Sequence, residues 1–297
     1  MAHVQSAAVA GTLSRISGLE VELVDIVTGG DTTSAPLAEI GGQGVFVSAV
    51  RQALAEGRVD LAVHSLKDLP TEEDSRVTLA AVPPRGDPRD ALVARDRLTL
   101  AGLPPGSRVG TGSPRRAAQL RALGLGLEVV PIRGNVDTRL AMVASGRIDA
   151  VVVARAGLVR LDRADEITEV LDPIQMLPAP GQGALAVEVA VANRRLVTNV
   201  SDALDDVTSR AAVVAERAVL RVLEAGCSAP VGALAIVVDG DEGPELSLQA
   251  AVCALDGSQA VRLTRFGALD DPAGLGQRLG AELLDQGAAT VMQEAVS

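Results

Sequence analysis

Hydrophobic and polar positions along the chain change their spacing several times, and each change marks an element. Val21–Val27 (VELVDIV), rich in β-branched residues, reads as a strand. Val45–Ala55, after the loop Gly41-Gly42-Gln43-Gly44, has helical spacing, and Val59–Ser65 and Val77–Val82 read as two further strands. Beyond the Pro-, Gly- and charge-rich stretch Pro83–Asp90 the pattern restarts. Strands are predicted at Ala91–Ala94, Ser107–Thr111, Leu127–Arg133 and Ile148–Ala154. Helices are predicted at Pro114–Leu123 and Val136–Ala144, the second stopped by Gly146. A second Pro/Gly stretch, Leu177–Val189, enters another strand. A helix over Val207–Glu224, strands Val231–Val238 and Leu246–Leu255, and a closing helix Gly274–Gln286 complete the pattern.

Strands alternating with helices predict an α/β fold with largely parallel sheets. The two Pro/Gly crossings predict a central domain inserted into the first. Domain 1 is expected over residues 1–84 and 184–203, domain 2 over 89–178, and a small α+β domain 3 over 207–297. Two lobes joined by paired crossings frame a ligand cleft.

Composition narrows the partners. The chain of 297 residues is 47% hydrophobic and 22% charged, the balance of a globular protein with a large core. A net charge of −11, no Trp or Tyr, and only Phe46 and Phe266 argue against nucleic acid. No apolar run is long enough to span a membrane, and MAHVQSAAVAGTLSR lacks the marks of a signal peptide, so the expected location is the cytoplasm. Cys227 and Cys253 form no CxxC pair and His3 and His64 are the only histidines, which argues against a zinc site or a disulfide framework. Lys67 is the only lysine.

Candidate chemistry gathers where strands end. GSPRRAAQL (Gly112–Leu120) places Ser113 as a helix N-cap and Pro114 at the first helical position, so Arg115 and Arg116 fall in the first turn. Cations are disfavoured there unless an anion is present. PIRGNVDTR (Pro131–Arg139) and ARAGLVRL (Ala154–Leu161) also follow strands, and add Arg133, Arg139 and Arg160. Together with the hydroxyls of Thr111 and Ser113, these forks suit a polycarboxylate or phosphate ligand. The competing reading is that each arginine pairs with surface Asp or Glu. His64-Ser65-Leu66-Lys67-Asp68 sets an imidazole, a hydroxyl, an ammonium and a carboxylate at one strand end, a polar site or a core histidine beside a turn-capping ion pair. Small neighbours around Cys227 leave its thiol open to act as nucleophile or anchor, or simply inert; Cys253 sits in a strand pattern and reads as packing.

HSLKDLP, DPRDALVAR, VGTGSPRRAAQL, RGNVDTRL, AGLVRL, LPAPGQGALAVE and AERAVLRVLEAGCSAPVG follow in the order and spacing of the porphobilinogen deaminase (hydroxymethylbilane synthase) family, which the chain resembles from about Ala2 to its end. The resemblance implies two lobes like those of type II periplasmic binding proteins and a small α+β C-terminal domain. It implies a monomeric transferase that joins four porphobilinogen molecules, each losing ammonia, on a dipyrromethane cofactor held by thioether to Cys227. Loss of ammonia leaves an electron-deficient azafulvene, and Asp68 matches the aspartate that stabilises its charge. By the same resemblance Ser65, Lys67, Thr111, Ser113, Arg115, Arg116, Arg133, Gly134, Arg139, Arg160 and Gln182 contact cofactor or substrate carboxylates, and Phe46 belongs to a loop over the cleft.

Three departures accompany it. The family opens with a strand and turn of the form R-I-G-T-R-x-S-P before the segment aligned with Ala2–Ser6, whereas Met1 falls just after it. The expectation is a missing inner strand in the first sheet, from a start placed too far downstream. Glu39 and Gln43 stand where many members have lysine, and Gly112 where many have serine. The alternatives are a non-enzymatic anion-binding protein with the same arginines, and a deaminase inactive for want of its first strand.

Overall fold

The structure, a computed structural model, describes residues 1–26, 44–226, 229–240 and 243–293, with residues 44–46 and 293 described as backbone only. In chain order it contains α1 (Ala2–Ser17), α2 (Gly44–Ala55), β1 (Leu61–Ser65), β2 (Val77–Ala81), β3 (Asp90–Ala94) and β4 (Arg108–Thr111). Next come α3 (Pro114–Ala122), β5 (Glu128–Pro131), α4 (Val136–Ala144), β6 (Ala150–Ala154), α5 (Arg155–Arg160) and β7 (Glu169–Val170). Then follow β8 (Leu185–Ala190), α6 (Arg194–Leu204), α7 (Val207–Val222), β9 (Val231–Gly240), β10 (Gly243–Cys253), β11 (Ala260–Ala268), α8 (Pro272–Asp285) and α9 (Ala288–Gln293). The fold is α/β. Its contacts divide it into two compact units, Met1–Arg85 with Ala184–Arg210, and Gly86–Gly183 with Ala211–Ser297.

The first unit is built on the sheet β1-β8-β2, in which β8 runs antiparallel to both neighbours. Leu185, Val187 and Val189 point to one face and bury against Val9 and Leu13 of α1 and Val200 and Leu204 of α6. Ala62 and Val77, on the other face, pack with Leu54 of α2. Strand alternation in LAVEVA (Leu185–Ala190) is thus used on both faces, because helices cover both.

The second unit holds two sheets. One has the order β5-β4-β6-β3-β7, with β4 parallel to β5 and β6, and β3 antiparallel to β6 and β7. Its core lies on both faces, around Leu92, Val109 and Val152 on one and Ala91, Ile132 and Val151 on the other. The other sheet, β11-β10-β9, is antiparallel throughout, and its Leu246, Leu248, Ala250 and Val252 face α7, α8 and α9. Gly276 and Gly280 on α8 allow that contact: a Cβ at Gly276 would fall 2.2 Å from the Ala215 carbonyl oxygen.

Two sequence expectations are corrected here. Among the described residues parallel pairing is confined to β5-β4-β6, because β8 and β3 are entered from extended crossings rather than from a helix that would return the chain to the same direction. The predicted strand at Val21–Val27 is not formed over its described part, residues 21–26. A strand exists only where a neighbour takes up its backbone hydrogen bonds, and here Leu23 and Val24 are left exposed. These residues border a cavity of about 960 Å³ walled by α1, β1 and α6, and none of the predicted site residues lines it. Conversely α1, α6 and β11 form where no element was assigned from the sequence.

Candidate functional site

In the second unit the chain leaves β4 toward β5 on one side and finds β6 on the other, so the carboxyl ends of these parallel strands diverge at β4. That is where open α/β sheets bind ligands. Thr111 ends β4 buried, its Oγ1 accepting the Ser113 backbone N–H at 3.1 Å. Ser113 caps α3 by accepting from the Arg116 N–H. Asn135 caps α4 in the same way through the Thr138 N–H at 2.8 Å. Gly112 joins these two turns. A Cβ there would lie 2.6 Å from the Ile132 carbonyl oxygen and 4.0 Å from the Arg139 guanidinium, so a serine at this position would require the backbone to part.

Arg115 and Arg116 do not reach out as free forks, and the sequence reading is corrected on that point. Both are buried. Arg115 donates from Nη2 to Asp90 Oδ2 at 2.8 Å and from Nη1 to the Leu177 carbonyl. Arg116 donates Nε and Nη2 to Asp90 Oδ1 at 3.0 and 2.8 Å, and Nη1 to the Val152 carbonyl at 3.3 Å. Gln182 donates to the same Asp90 oxygen at 2.8 Å and to the Pro88 carbonyl at 2.7 Å. The anion required at the head of α3 is therefore the protein's own. Burial by itself would raise the Asp90 carboxyl, but the two guanidinium groups outweigh it and hold it well below the usual carboxylate range. Arg115 Nε remains buried without a partner.

Three other arginines of the second unit are differently placed. Arg133 is exposed, and Gly134 beside it takes φ 107°, a left-handed conformation that only glycine adopts without strain. Arg139 is half-buried, donates Nε to the Gly134 carbonyl at 2.8 Å, and pairs with no carboxylate among the described residues. Its pKa is lowered by burial and by the charge of Arg116. Arg160, half-buried too, donates to the Gly183 carbonyl at 2.6 Å and has no carboxylate partner among the described residues; burial lowers its pKa. A desolvated cation supplied only with a carbonyl oxygen, as each of these is, strongly favours a carboxylate.

Ser65, Lys67, Asp68 and Phe46 belong to the first unit. Ser65 ends β1, and Leu66–Asp68 form a single 3₁₀ turn that presents Lys67 and Asp68 half-buried while Leu66 is fully buried. Ser65 Oγ bonds with the Gln5 side chain of α1, the Gln5 amide donating at 2.7 Å. His64 lies 3.4 Å from Glu188, which Arg51 of α2 holds in a bidentate pair at 3.0 and 2.7 Å. Burial opposes the charge on Glu188, yet His64 and Arg51 overcome it and bring its pKa down to about 2. Phe46 falls in the first turn of α2, where only backbone is described, and Cys227, Glu39 and Gln43 lie outside the described residues.

Four residues in contact with this framework escaped the sequence reading: Asp90, Gln5, Glu188 and Glu216. Asp90 stands inside the motif DPRDALVAR, and an uncompensated pair of first-turn arginines itself requires a carboxylate nearby. Glu188 is a charge with apolar neighbours on both sides, in LAVEVA, and Glu216 sits beside Arg217 between apolar runs, in VVAERAV, patterns that mark a buried paired acid. Glu216 is fully buried on α7 and accepts backbone N–H groups of Gly181 at 2.6 Å and Ala235 at 2.8 Å, joining the Pro178–Gly183 loop to β9. Nothing in the sequence around Gln5 singles it out.

Comparison with known proteins agrees with these motifs. The family model described as porphobilinogen deaminase, dipyromethane cofactor binding domain, matches residues 1–198, and that for the porphobilinogen deaminase C-terminal domain matches residues 210–285. Porphobilinogen deaminase of Mycobacterium tuberculosis is 57% identical over 296 residues, 98% of this chain and 93% of that protein. The protein of the same name from Mycobacterium marinum is 58% identical over 281 residues, 93% of this chain and 89% of its own. Among solved structures, the periplasmic VFT2 domain of Bordetella pertussis BvgS aligns at a TM-score of 0.39 and 19% identity, over 67% of this chain and 75% of that domain. No helix among the described residues is long and apolar enough to cross a membrane.

Proposed function

The chain belongs to the porphobilinogen deaminase family, and from that premise we propose that it is the transferase joining four porphobilinogen molecules head to tail into hydroxymethylbilane for tetrapyrrole synthesis. In each addition a C–N bond of the aminomethyl arm breaks, ammonia leaves, a C–C bond forms, and the acceptor pyrrole loses one proton. The dipyrromethane cofactor, carried on Cys227, supplies the pyrrole to which the first unit is joined. Its acetate and propionate arms fit what the described residues offer: Arg139 and Arg160 are desolvated cations without a carboxylate partner among those residues, and this observation carries the reading. Arg133 and the Gly134 backbone extend that binding line. Asp90 with Arg115, Arg116 and Gln182 fixes the floor beneath it, so that Arg115 and Arg116 lend charge rather than open forks. Asp68 accepts a pyrrole N–H and balances the positive charge left as ammonia departs, with Ser65 and Lys67 beside it. Phe46, at the head of α2, belongs to the covering loop. The enzyme acts as a monomer in the cytoplasm.

Intact-mass measurement tests the assignment. The purified chain is expected to be heavier than its sequence by a two-pyrrole adduct, and Cys227→Ser to lack it. An unadorned wild-type chain that also fails to acquire pyrrole from porphobilinogen refutes the reading. Asp68→Asn should retain the fold and the adduct but lose turnover by about 10²-fold or more, as expected for a preorganised charge-stabilising group. Near-normal turnover would remove Asp68 from the mechanism.

A further inference from the structure

Glu188 occupies the centre of β8, itself the central strand of the first unit's sheet, with Ala62 opposite on β1 and Leu79 opposite on β2. Its side chain is 4% exposed, on the face that packs Leu54, Ala62 and Val77 together. A carboxylate in that position is unfavourable unless it is paired in good geometry. Arg51 supplies the pair from α2, Nε to Oε2 at 3.0 Å and Nη2 to Oε1 at 2.7 Å. His64 Nε2 stands 3.4 Å from Oε2, buried and without a hydrogen bond of its own.

Apolar residues of similar volume stabilise a fold as well as a buried ion pair does, or better. What the pair adds is direction: a two-pronged fork docks a helix on a sheet in one register and not in its neighbours. Two features hang on that register. His64 immediately precedes Ser65, Lys67 and Asp68, and Leu66 anchors their 3₁₀ turn to the returning chain, its N–H donating to the Ala184 carbonyl at 3.1 Å just ahead of β8. The other partner, Arg51, lies on the helix whose first turn holds Phe46.

We infer that Glu188 is a positioning residue of the condensation: bonded to Arg51 and with His64 3.4 Å from its carboxylate, it fixes the end of β1, and with it Asp68, against α2. This rests on the reading of Asp68 as the charge-balancing group, and the test separates the two. In the full-length enzyme carrying its cofactor, Arg51→Met with Glu188→Leu replaces the pair by apolar bulk, so thermal stability is expected to stay at or above that of the wild type. Loss of alignment is nevertheless expected to lower kcat by about tenfold or more at nearly unchanged KM, since small misplacements of reacting groups cost this much. The arginines assigned to substrate carboxylates are untouched by the change. A stable double variant with wild-type kcat overturns the inference. Should that variant not fold, Glu188→Gln carries the same test: a tenfold lower kcat at constant KM, with faster amide exchange over residues 66–69, supports positioning, and wild-type values for both overturn it. Asp68→Asn measured alongside tells the two failures apart: an active Asp68→Asn sinks the assignment of Asp68, whereas an inactive one beside a fully active double variant sinks only the role of Glu188.

Discussion

Asp90 settles what two adjacent first-turn arginines are doing at the positive end of α3. With its carboxylate between them they are a buried floor that keeps one net positive charge, and removing the carboxylate charge leaves two guanidinium groups desolvated with only carbonyl and amide oxygens as acceptors. Asp90→Asn is expected to cost about 3–5 kcal/mol in urea unfolding, the range for breaking a buried ion pair from one side. The same pairing gives a pH dependence of definite sign. Asp90 and Glu188 both titrate lower in the folded protein than an ordinary Asp or Glu. Their contribution to stability is therefore full above the unfolded values of about 3.9 and 4.3, and is lost as pH falls below them. For Glu188 the loss extends down to about 2. Acid titration of unfolding should show stability falling below about pH 4, with a shallower fall in Glu188→Gln. Gly112→Ala is expected to lower stability by about 2 kcal/mol, through the collision with the Ile132 carbonyl rather than through a lost contact. At this scale the sequence showed that an anion was needed beside Arg115 and Arg116 but not which one. Asp90 lies 25 residues upstream of Arg115, and only the pairing of β3 with β6 brings it there.

Among the elements, those whose pattern reflects burial on one or both faces were legible. Strands β1, β2, β3, β4, β6 and β8 and helices α3 and α4 stand where periodicity, Pro–Gly punctuation and caps placed them. The failures have a common cause, because pattern reports which side chains want shelter and not whether a partner is present. Residues 21–26 have strand composition without a bonded neighbour, and β11 is a genuine strand whose alternation, half-exposed along its whole length, is too weak to announce it. Direction of pairing is equally silent in a single sequence, which is why parallel sheets were overestimated. Glu216 shows how one side chain can hold several elements: from α7 it binds a backbone N–H of the Pro178–Gly183 loop and another of β9. Glu216→Gln keeps the shape but turns an amide donor toward one of those N–H groups. An unfolding free energy lower by roughly 2 kcal/mol is expected. Amide exchange at Gly181 and Ala235 should rise with it, and unchanged protection at both would show that the contact does not matter.

Over the whole chain the charge is −11, yet the assigned binding line is cationic. A field of that kind attracts a polycarboxylate locally while the surroundings repel it, and the balance is set by ions in solution. Raising ionic strength from 0.05 to 0.5 M shortens the screening length to a few ångströms, so KM for porphobilinogen should increase several-fold with little change in kcat. A salt-independent KM would indicate that Arg133, Arg139 and Arg160 do not carry substrate charge. One property of the sequence bears on this chemistry differently. Every basic side chain other than histidine is arginine except Lys67, half-buried on the turn that carries Asp68. A reductive-amination reagent applied to the native protein therefore meets one side-chain amine within this sequence, that of Lys67. That amine is a side-chain tagging point on the turn that carries Asp68, and under the proposed role of Asp68 occupancy by pyrrole is readable as its protection.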